Sequence, residues 1–146
     1  MALEIIEKNP GEKSFILAGI RGSGEVVARN VQKYLGDTNG IQTKFITISI
    51  DKRNPGEVEL SETMDFNEKL IIVIDDVANS GRTLLYALKP FLSFHPKKIQ
   101  TLVLVERSHN SFPIHSDYIG LSVATRPEEH IYVEVDGDRI IGAYLE

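Results

Sequence analysis

The chain has 146 residues, the length of one domain, and its 42% apolar and 25% charged residues fit a folded globular protein rather than a disordered one. Lys and Arg total 16 against 21 Asp and Glu, a net charge of -5, which argues against strong nonspecific attraction to nucleic acid or anionic membrane. There is no cysteine, so disulfide frameworks, thiolate metal sites and cysteine nucleophiles are excluded together, which suits a cytoplasmic protein.

Residues 1–10 carry acidic side chains and no long apolar run, so neither a secretory signal nor a membrane span is expected there. Residues 15–20 read as a buried strand, followed by the turn Arg21-Gly22-Ser23-Gly24 and a helix whose apolar positions include Val27, Val31, Tyr34 and Leu35, with Gly36 as its stop. Residues 41–50 alternate as a half-solvated strand. Residues 51–69 hold no period, and the turn signal Asn54-Pro55-Gly56 predicts a long flexible loop or a hairpin arm, the kind of segment that often serves as a lid. Residues 70–74 are the most uniformly apolar strand, and the helix after it is expected over 83–92, with Pro90 fraying or kinking its last turn. A strand at 99–105 runs into a polar segment at 106–116. Shorter strands are expected at 117–120, 131–135 and 139–145, the last two joined through Asp136-Gly137-Asp138 as an antiparallel hairpin. Strands alternating with helices define an α/β fold with a mainly parallel sheet, one domain over 1–146.

The chemistry concentrates in residues 70–83. A strand buried on both faces runs into Asp75 and Asp76 at the carboxyl edge of a parallel sheet, where open α/β folds bind ligands. Adjacent like charges there cost free energy unless a cation or donating hydroxyls offset them. Beyond them, Ala78, Asn79, Ser80 and Gly81 turn into a helix with small side chains that let backbone N–H groups converge on an anion, and Ser80 and Thr83 add hydroxyls. Either half alone is equally compatible with an acidic strand end and a capped helix. Together, carboxylates for sugar hydroxyls beside a phosphate cradle describe a ribose 5-phosphate ligand. No G-x-x-x-x-G-K-[ST] occurs, and Gly19, Gly22 and Gly24 are not in G-x-G-x-x-G order.

The segment 74–83, Ile-Asp-Asp-Val-Ala-Asn-Ser-Gly-Arg-Thr, resembles the phosphoribosyl-diphosphate (PRPP) signature of type I phosphoribosyltransferases, with Ser80 in place of the usual Thr. Residues 104–120 are similar to the pyrimidine attenuation regulator family, which doubles as uracil phosphoribosyltransferase and carries Arg-Gly-His, Leu-Pro-Ile and Asp-Tyr-Val-Gly after a strand. The resemblance spans about residues 3–135, although family members usually begin with a longer helix. It implies a type I phosphoribosyltransferase fold with a small hood, placed over 106–125, and a flexible loop over 51–69. It implies that Asp75 and Asp76 hold the ribose hydroxyls, and indirectly Mg2+, while Val77, Ala78, Asn79, Ser80, Gly81, Arg82 and Thr83 wrap the 5-phosphate.

By the same resemblance, Arg21, Gly22, Ser23 and Gly24 bind pyrophosphate in a loop that in the family can hold a cis peptide. Lys52 and Arg53 either neutralise pyrophosphate oxygens from the closing loop or are solvated surface charges; Arg53 joins Arg21, Asp75 and Asp76 as the expected catalytic set. Tyr118 and Ile119 are expected to offer backbone groups to the base, with Pro113 and Ile114 as a wall. The family pattern often has Arg at His115 and Lys at Leu121, and this chain departs from both. Asn79 stands where purine-specific relatives often carry a carboxylate, and an amide cannot do that acid-base work, which favours a pyrimidine. Arg107 and His109 match the family; His109 and His115 lack a third ligand at zinc-like spacing. The implied activity converts uracil and PRPP to UMP and pyrophosphate with Mg2+. The alternatives are a nucleotide-sensing regulator of pyrimidine transcripts or a purine transferase. RNA binding is disfavoured by the acidic charge, a homodimer or tetramer is expected, and no membrane association is.

Overall fold

The computed structural model describes residues 1–36, 40–51, 53–54 and 56–146. Six strands, β1 (Ser14–Ile20), β2 (Gln42–Ile50), β3 (Val58–Leu60), β4 (Leu70–Ala78), β5 (Lys98–Arg107) and β6 (Tyr118–Val123), form one sheet in the order β3-β2-β1-β4-β5-β6. Every neighbouring pair is parallel except β2 with β3. The central strands β1 and β4 are buried on both faces, which is why their sequences read as unbroken apolar runs.

Alternate side chains divide between two layers. Phe15 and Leu17 of β1, with Ile72 and Ile74 of β4, pack under helices α1 (Ala2–Lys8) and α2 (Ser23–Gly36). Ile16, Ala18 and Ile20, with Ile71 and Val73, face α3 (Arg82–Ala87) and the 3-10 turn Lys89–Phe91. The last strands, β7 (Ile131–Asp136) and β8 (Arg139–Leu145), form the separate antiparallel hairpin expected from Asp136-Gly137-Asp138. Among the described residues, no helix is long and apolar enough to cross a membrane.

The chain leaves β1 towards β2 on one side and leaves β4 towards β5 on the other. The gap between the carboxyl ends of β1 and β4 is therefore a topological switch point, where diverging connections open a crevice. The ladders record it: β1 pairs with β4 only as far as Gly19 and Ile74, while β4 stays paired with β5 to Ala78 and Glu106. The strand expected over 70–74 thus continues through both aspartates, held from the β5 side alone.

Two expectations need correction. The helix expected over 83–92 is α3, which starts one residue earlier and ends at Ala87; Pro90 has no N–H for the carbonyl of Tyr86, so the chain tightens into the 3-10 turn. Of the two alternatives for 51–69, a long flexible loop or a hairpin arm, the structure has the hairpin arm, and the stretch is largely anchored. β3 pairs with β2, the Ser61 N–H donates to the Thr47 carbonyl (2.9 Å), and Phe66 is buried edge-on to Phe91 and Phe94, with ring centroids 5.0 and 5.2 Å away. A single apolar anchor between Asp65 and Asn67 leaves no period to detect. The acidic start forms α1, and the Asn9 side-chain amide just beyond it donates to Gln100 Oε1 (2.9 Å) and lies 3.0 Å from the Tyr118 hydroxyl, docking the helix onto the sheet.

Phe66→Ala should destabilise the fold by about 3–5 kcal/mol, the usual cost of emptying a buried phenylalanine site. Denaturant titration reads this directly. A loss under about 1 kcal/mol would mean the segment is not packed as described.

Candidate active site

The site grows from the two turns that follow β1 and β4. After β1, the Arg21 N–H donates to the Ile48 carbonyl (2.9 Å), which fixes the start of the turn, and Gly22 takes φ +98°. All peptide bonds among the described residues are trans, so the cis peptide known from this loop in the family is not found here. At Gly24, an added Cβ would lie 3.0 Å from the Ile74 carbonyl oxygen and 3.1 Å from Asp75 Oδ1. The first turn of α2 therefore rests directly on the end of β4, and any residue larger than glycine would force the two apart by a few tenths of an ångström.

Asp75 is 2% exposed and Asp76 half-buried. Each carboxylate accepts the next backbone N–H, Asp75 Oδ1 from Asp76 (2.9 Å) and Asp76 Oδ1 from Val77 (2.8 Å). These bonds aim the side chains and offset part of the repulsion between adjacent charges. Asp75, Val77, Ala78, Asn79, Ser80, Gly81, Thr83 and Leu84 line a cavity of about 150 Å³. Its walls combine a carboxylate, two hydroxyls and tight backbone. Gly81 takes φ +84°, and a Cβ there would sit 2.7 Å from a methyl of Ile114, so the turn and the loop above it are in contact. Because α3 has only six residues, its dipole is small, and any anion affinity rests on the turn itself.

The loop between β5 and β6 is pinned to this turn: the N–H groups of Ser111 and Phe112 both donate to the Ser80 carbonyl at 3.1 Å. The hairpin reaches the same turn, with the Ile131 N–H donating to Asn79 Oδ1 at 3.5 Å. Arg107 donates to the Glu129 carbonyl, while its Nε is buried without a partner. The roof over the site is thus built from the 108–117 loop and the base of the hairpin, and extends beyond the 106–125 stretch expected.

The expected residues distribute as follows. Asp75, Val77, Ala78, Asn79, Ser80, Gly81 and Thr83 come together around the cavity. Asp76 follows Asp75 on the same strand without lining it, and the Arg82 guanidinium lies instead near the Tyr86 ring, 5.8 Å from its centroid. Arg21 is exposed beside Ser49, Ile50 and Asp51 in a second hollow. The Arg53 N–H donates to Asp51 Oδ1 (2.9 Å), leaving its side chain exposed, and Lys52 lies outside the described residues. Pro113 is exposed, and Ile114 packs over Gly81 as a wall. The Tyr118 ring points into the opposite layer, its hydroxyl bonded to Asn9 and Gln100, and Ile119 packs into the core, so both could meet a ligand only through backbone.

Sequence reading missed Glu25. Its carboxylate accepts the Gly22 N–H (3.2 Å) and the Thr47 hydroxyl (2.8 Å), occupying one amide assigned to pyrophosphate and bracing the turn against β2. Glu25 three residues after Gly22 in the first turn of a helix is the only sequence signal for it. Glu106 was also passed over; it is 3% exposed at the end of β5, accepts the Ser116 N–H (3.3 Å) and lies 3.7 Å from His115 Nδ1. Among the described residues no three His, Asp or Glu side chains converge as a metal site. Two adjacent carboxylates without a third partner suit Mg2+, which keeps waters and takes its remaining oxygens from a substrate's phosphates.

A mainly parallel sheet with a carboxylate and a tight hydroxyl-lined turn at its switch point makes an α/β domain with its crevice where open α/β folds bind ligands. The chain belongs to the phosphoribosyltransferase family: residues 1–137 match the phosphoribosyl transferase domain. It is 36% identical over 146 residues to the bifunctional protein PyrR of Leuconostoc mesenteroides, covering 92% of this chain and 83% of that one. It is 34% identical over 148 residues to the PyrR of Clostridioides difficile, covering 92% and 84%. A hypoxanthine-guanine phosphoribosyltransferase from Bacillus anthracis shares the fold with a TM-score of 0.72 at 21% identity, over 89% of this chain and 75% of that one. The hypoxanthine phosphoribosyltransferase of Trypanosoma cruzi gives 0.72 at 15% identity, over 84% and 73%. The type I phosphoribosyltransferase architecture and the kinship with PyrR implied by the sequence are both found.

Burial raises the Tyr118 phenol above its ordinary value of 10.0, opposed in part by the bond from Asn9. Above pH ~10 the unfolded chain therefore loses this proton before the folded one does, so stability is complete below that pH and falls above it. Tyr118→Phe should be less stable at pH 8 but lose less further stability between pH 8 and pH 11, as read from urea midpoints. Equal losses in both proteins would contradict the burial of this phenol.

Proposed function

We propose that the protein transfers the phosphoribosyl group of PRPP to a pyrimidine base, uracil, giving UMP and pyrophosphate. The observation that carries the reading is the near-complete burial of Asp75 beside a 150 Å³ hydroxyl-lined turn at the switch point of the sheet. Carboxylates accept hydrogen bonds from vicinal sugar hydroxyls, and the turn beyond them is sized for the 5-phosphate of the same sugar.

In the reaction the bond from C1 of the ribose to pyrophosphate breaks, the bond from C1 to uracil N1 forms, and the N1 proton is released. Positive charge develops on the ring as the leaving group departs. Asp75 and Asp76 orient the ribose and place negative charge near the developing cation. Ser80, Gly81 and Thr83 fix the 5-phosphate, so that C1 is held at one distance from the base. Arg21 and the turn of Ser23 and Gly24 meet the pyrophosphate, and for Gly22 this requires Glu25 to yield its amide. Asp75 and Asp76 would hold Mg2+, directly or through water, and when bound the ion neutralises charge on the leaving group. The arm that carries Arg53 and the roof from residues 108–117 exclude water from C1.

The base assignment rests on Asn79. Its amide oxygen accepts the Ile131 N–H, a structural role, and its chemistry provides neither acid nor base for a purine ring. Uracil N1 is acidic enough to need less help. The name of the relatives, a bifunctional protein, favours a second reading, nucleotide-dependent control of a pyrimidine transcript. Against it stand the net charge of -5 and the pairing of Lys44 with Glu62 and Lys97 with Glu12, which leaves fewer cations for phosphates.

Incubation with PRPP, Mg2+ and each free base, with nucleotides resolved afterwards, should give UMP from uracil and little product from hypoxanthine or guanine. Asp76→Asn should lower kcat/KM for PRPP by about 10²-fold or more, equivalent to about 2.7 kcal/mol of transition-state stabilisation, with an unchanged thermal midpoint. No nucleotide from any base would refute catalysis, and full activity of the variant would refute the ribose assignment.

A further inference from the structure

The turn between β1 and α2 already holds an anion of its own. Glu25 Oε1 accepts the Thr47 hydroxyl at 2.8 Å, and Oε2 accepts the Gly22 N–H at 3.2 Å. The two bonds are unequal. The first is short and half-buried between α2 and β2, whereas the second is longer and lies at the surface, where a Cβ added to Gly22 would meet nothing within 4 Å. An incoming anion can therefore reach the Gly22 amide from solvent while the Glu25 carboxylate keeps its hold on Thr47.

The backbone that carries Glu25 has no such freedom. At Gly19 of β1, an added Cβ would lie 3.1 Å from Glu25 Cα and 2.9 Å from Ala28 Cβ, so the first turn of α2 is pressed against that strand, as Gly24 presses it against β4. Glu25 gives up the amide by rotating its side chain, not by moving its helix. The surroundings add negative charge: Arg21 shares its hollow with Asp51, Glu57 and Glu59.

Given the assignment of this turn to the leaving group in the proposed transfer reaction, we propose that Glu25 is a built-in competitor of pyrophosphate. Its carboxylate holds the Gly22 amide between turnovers, swings off it when the diphosphate of PRPP arrives, and reclaims it as pyrophosphate departs. One amide cannot serve both anions, and a carboxylate that stays on Thr47 remains next to the incoming phosphates. Like charges so placed in partly solvated surroundings lower affinity on the order of tenfold. The leaving-group site therefore binds pyrophosphate loosely and releases it readily. Glu25 is a positioning residue here: it acts on the turn and does not touch the ribose. As a helix cap alone it would add stability and leave pyrophosphate affinity untouched.

Glu25→Gln keeps the shape of the side chain and its bonding capacity but removes the charge. Isothermal titration calorimetry with pyrophosphate and Mg2+ should show binding about 10-fold tighter for this variant than for the wild type. Ribose 5-phosphate, which lacks the leaving group, should bind both proteins equally. Glu12→Gln is the control for net charge: Glu12 precedes β1 at the opposite end of the sheet, paired with Lys97, and this variant should match the wild type with both ligands. If Glu25→Gln fails to fold, Thr47→Val decides: it unties the carboxylate, which can then swing into solvent, and should tighten pyrophosphate binding by about 3-fold. Pyrophosphate binding that is unchanged or weaker in the folded variant, with ribose 5-phosphate bound as before, overturns the competition and leaves the transfer reaction standing. An equal gain in the Glu12→Gln control also overturns it. A wild-type protein that binds neither ligand overturns the transfer reaction and the role of Glu25 together.

Discussion

The contact between the first turn of α2 and Asp75 is the constraint on which the crevice depends. Gly24 brings the helix so close to the end of β4 that a single added carbon would meet both the Ile74 carbonyl and the Asp75 carboxylate. That approach places the turn after β1 and the carboxylates of β4 on the same few ångströms of surface. It also buries Asp75, and a buried carboxylate is tolerable only if it accepts hydrogen bonds. The Asp76 N–H supplies one, and the strand geometry that provides it follows from β4 continuing past the end of its ladder with β1.

From that contact the remaining parts follow in sequence. β4 turns at Gly81 under the Ile114 methyl, and the Ser80 carbonyl takes two N–H groups from the loop above. The hairpin adds a third tie through Asn79. Two separate stretches of chain, the loop at 111–114 and the hairpin at Ile131, therefore converge on residues 79–81. On the proposed function the division of labour is unequal: the ribose and phosphate end is built from strand and tight turn, whereas the base end is built from loop and hairpin.

What could be read in advance follows the reach of the interactions. β1 and β4 were legible because burial on both faces leaves an uninterrupted apolar run, and the aspartate pair because two adjacent like charges at such a strand end demand an explanation. The shortened α3 was half legible, since Pro90 announces the break without fixing where the helix stops. Phe66 was not legible, because its partners Phe91 and Phe94 lie more than twenty residues away and its neighbours are polar. Tyr118 shows the same limit: a motif locates its backbone at the sheet edge, but only the distant Asn9 and Gln100 decide which way the ring points. Glu25 was hidden because its two partners, Gly22 and Thr47, belong to a turn and to a neighbouring strand.

The central claim is that the crevice between β1 and β4 receives a ribose phosphate. The most direct test follows backbone amide resonances of the isotopically labelled protein during titration with ribose 5-phosphate, which carries the sugar and the phosphate without the base or the pyrophosphate. The account requires saturable shifts at Val77, Ala78, Gly81 and Thr83, with the apolar face of α1 and α2 unaffected. Shifts centred on that face, or no saturable change at residues 77–83, would contradict it.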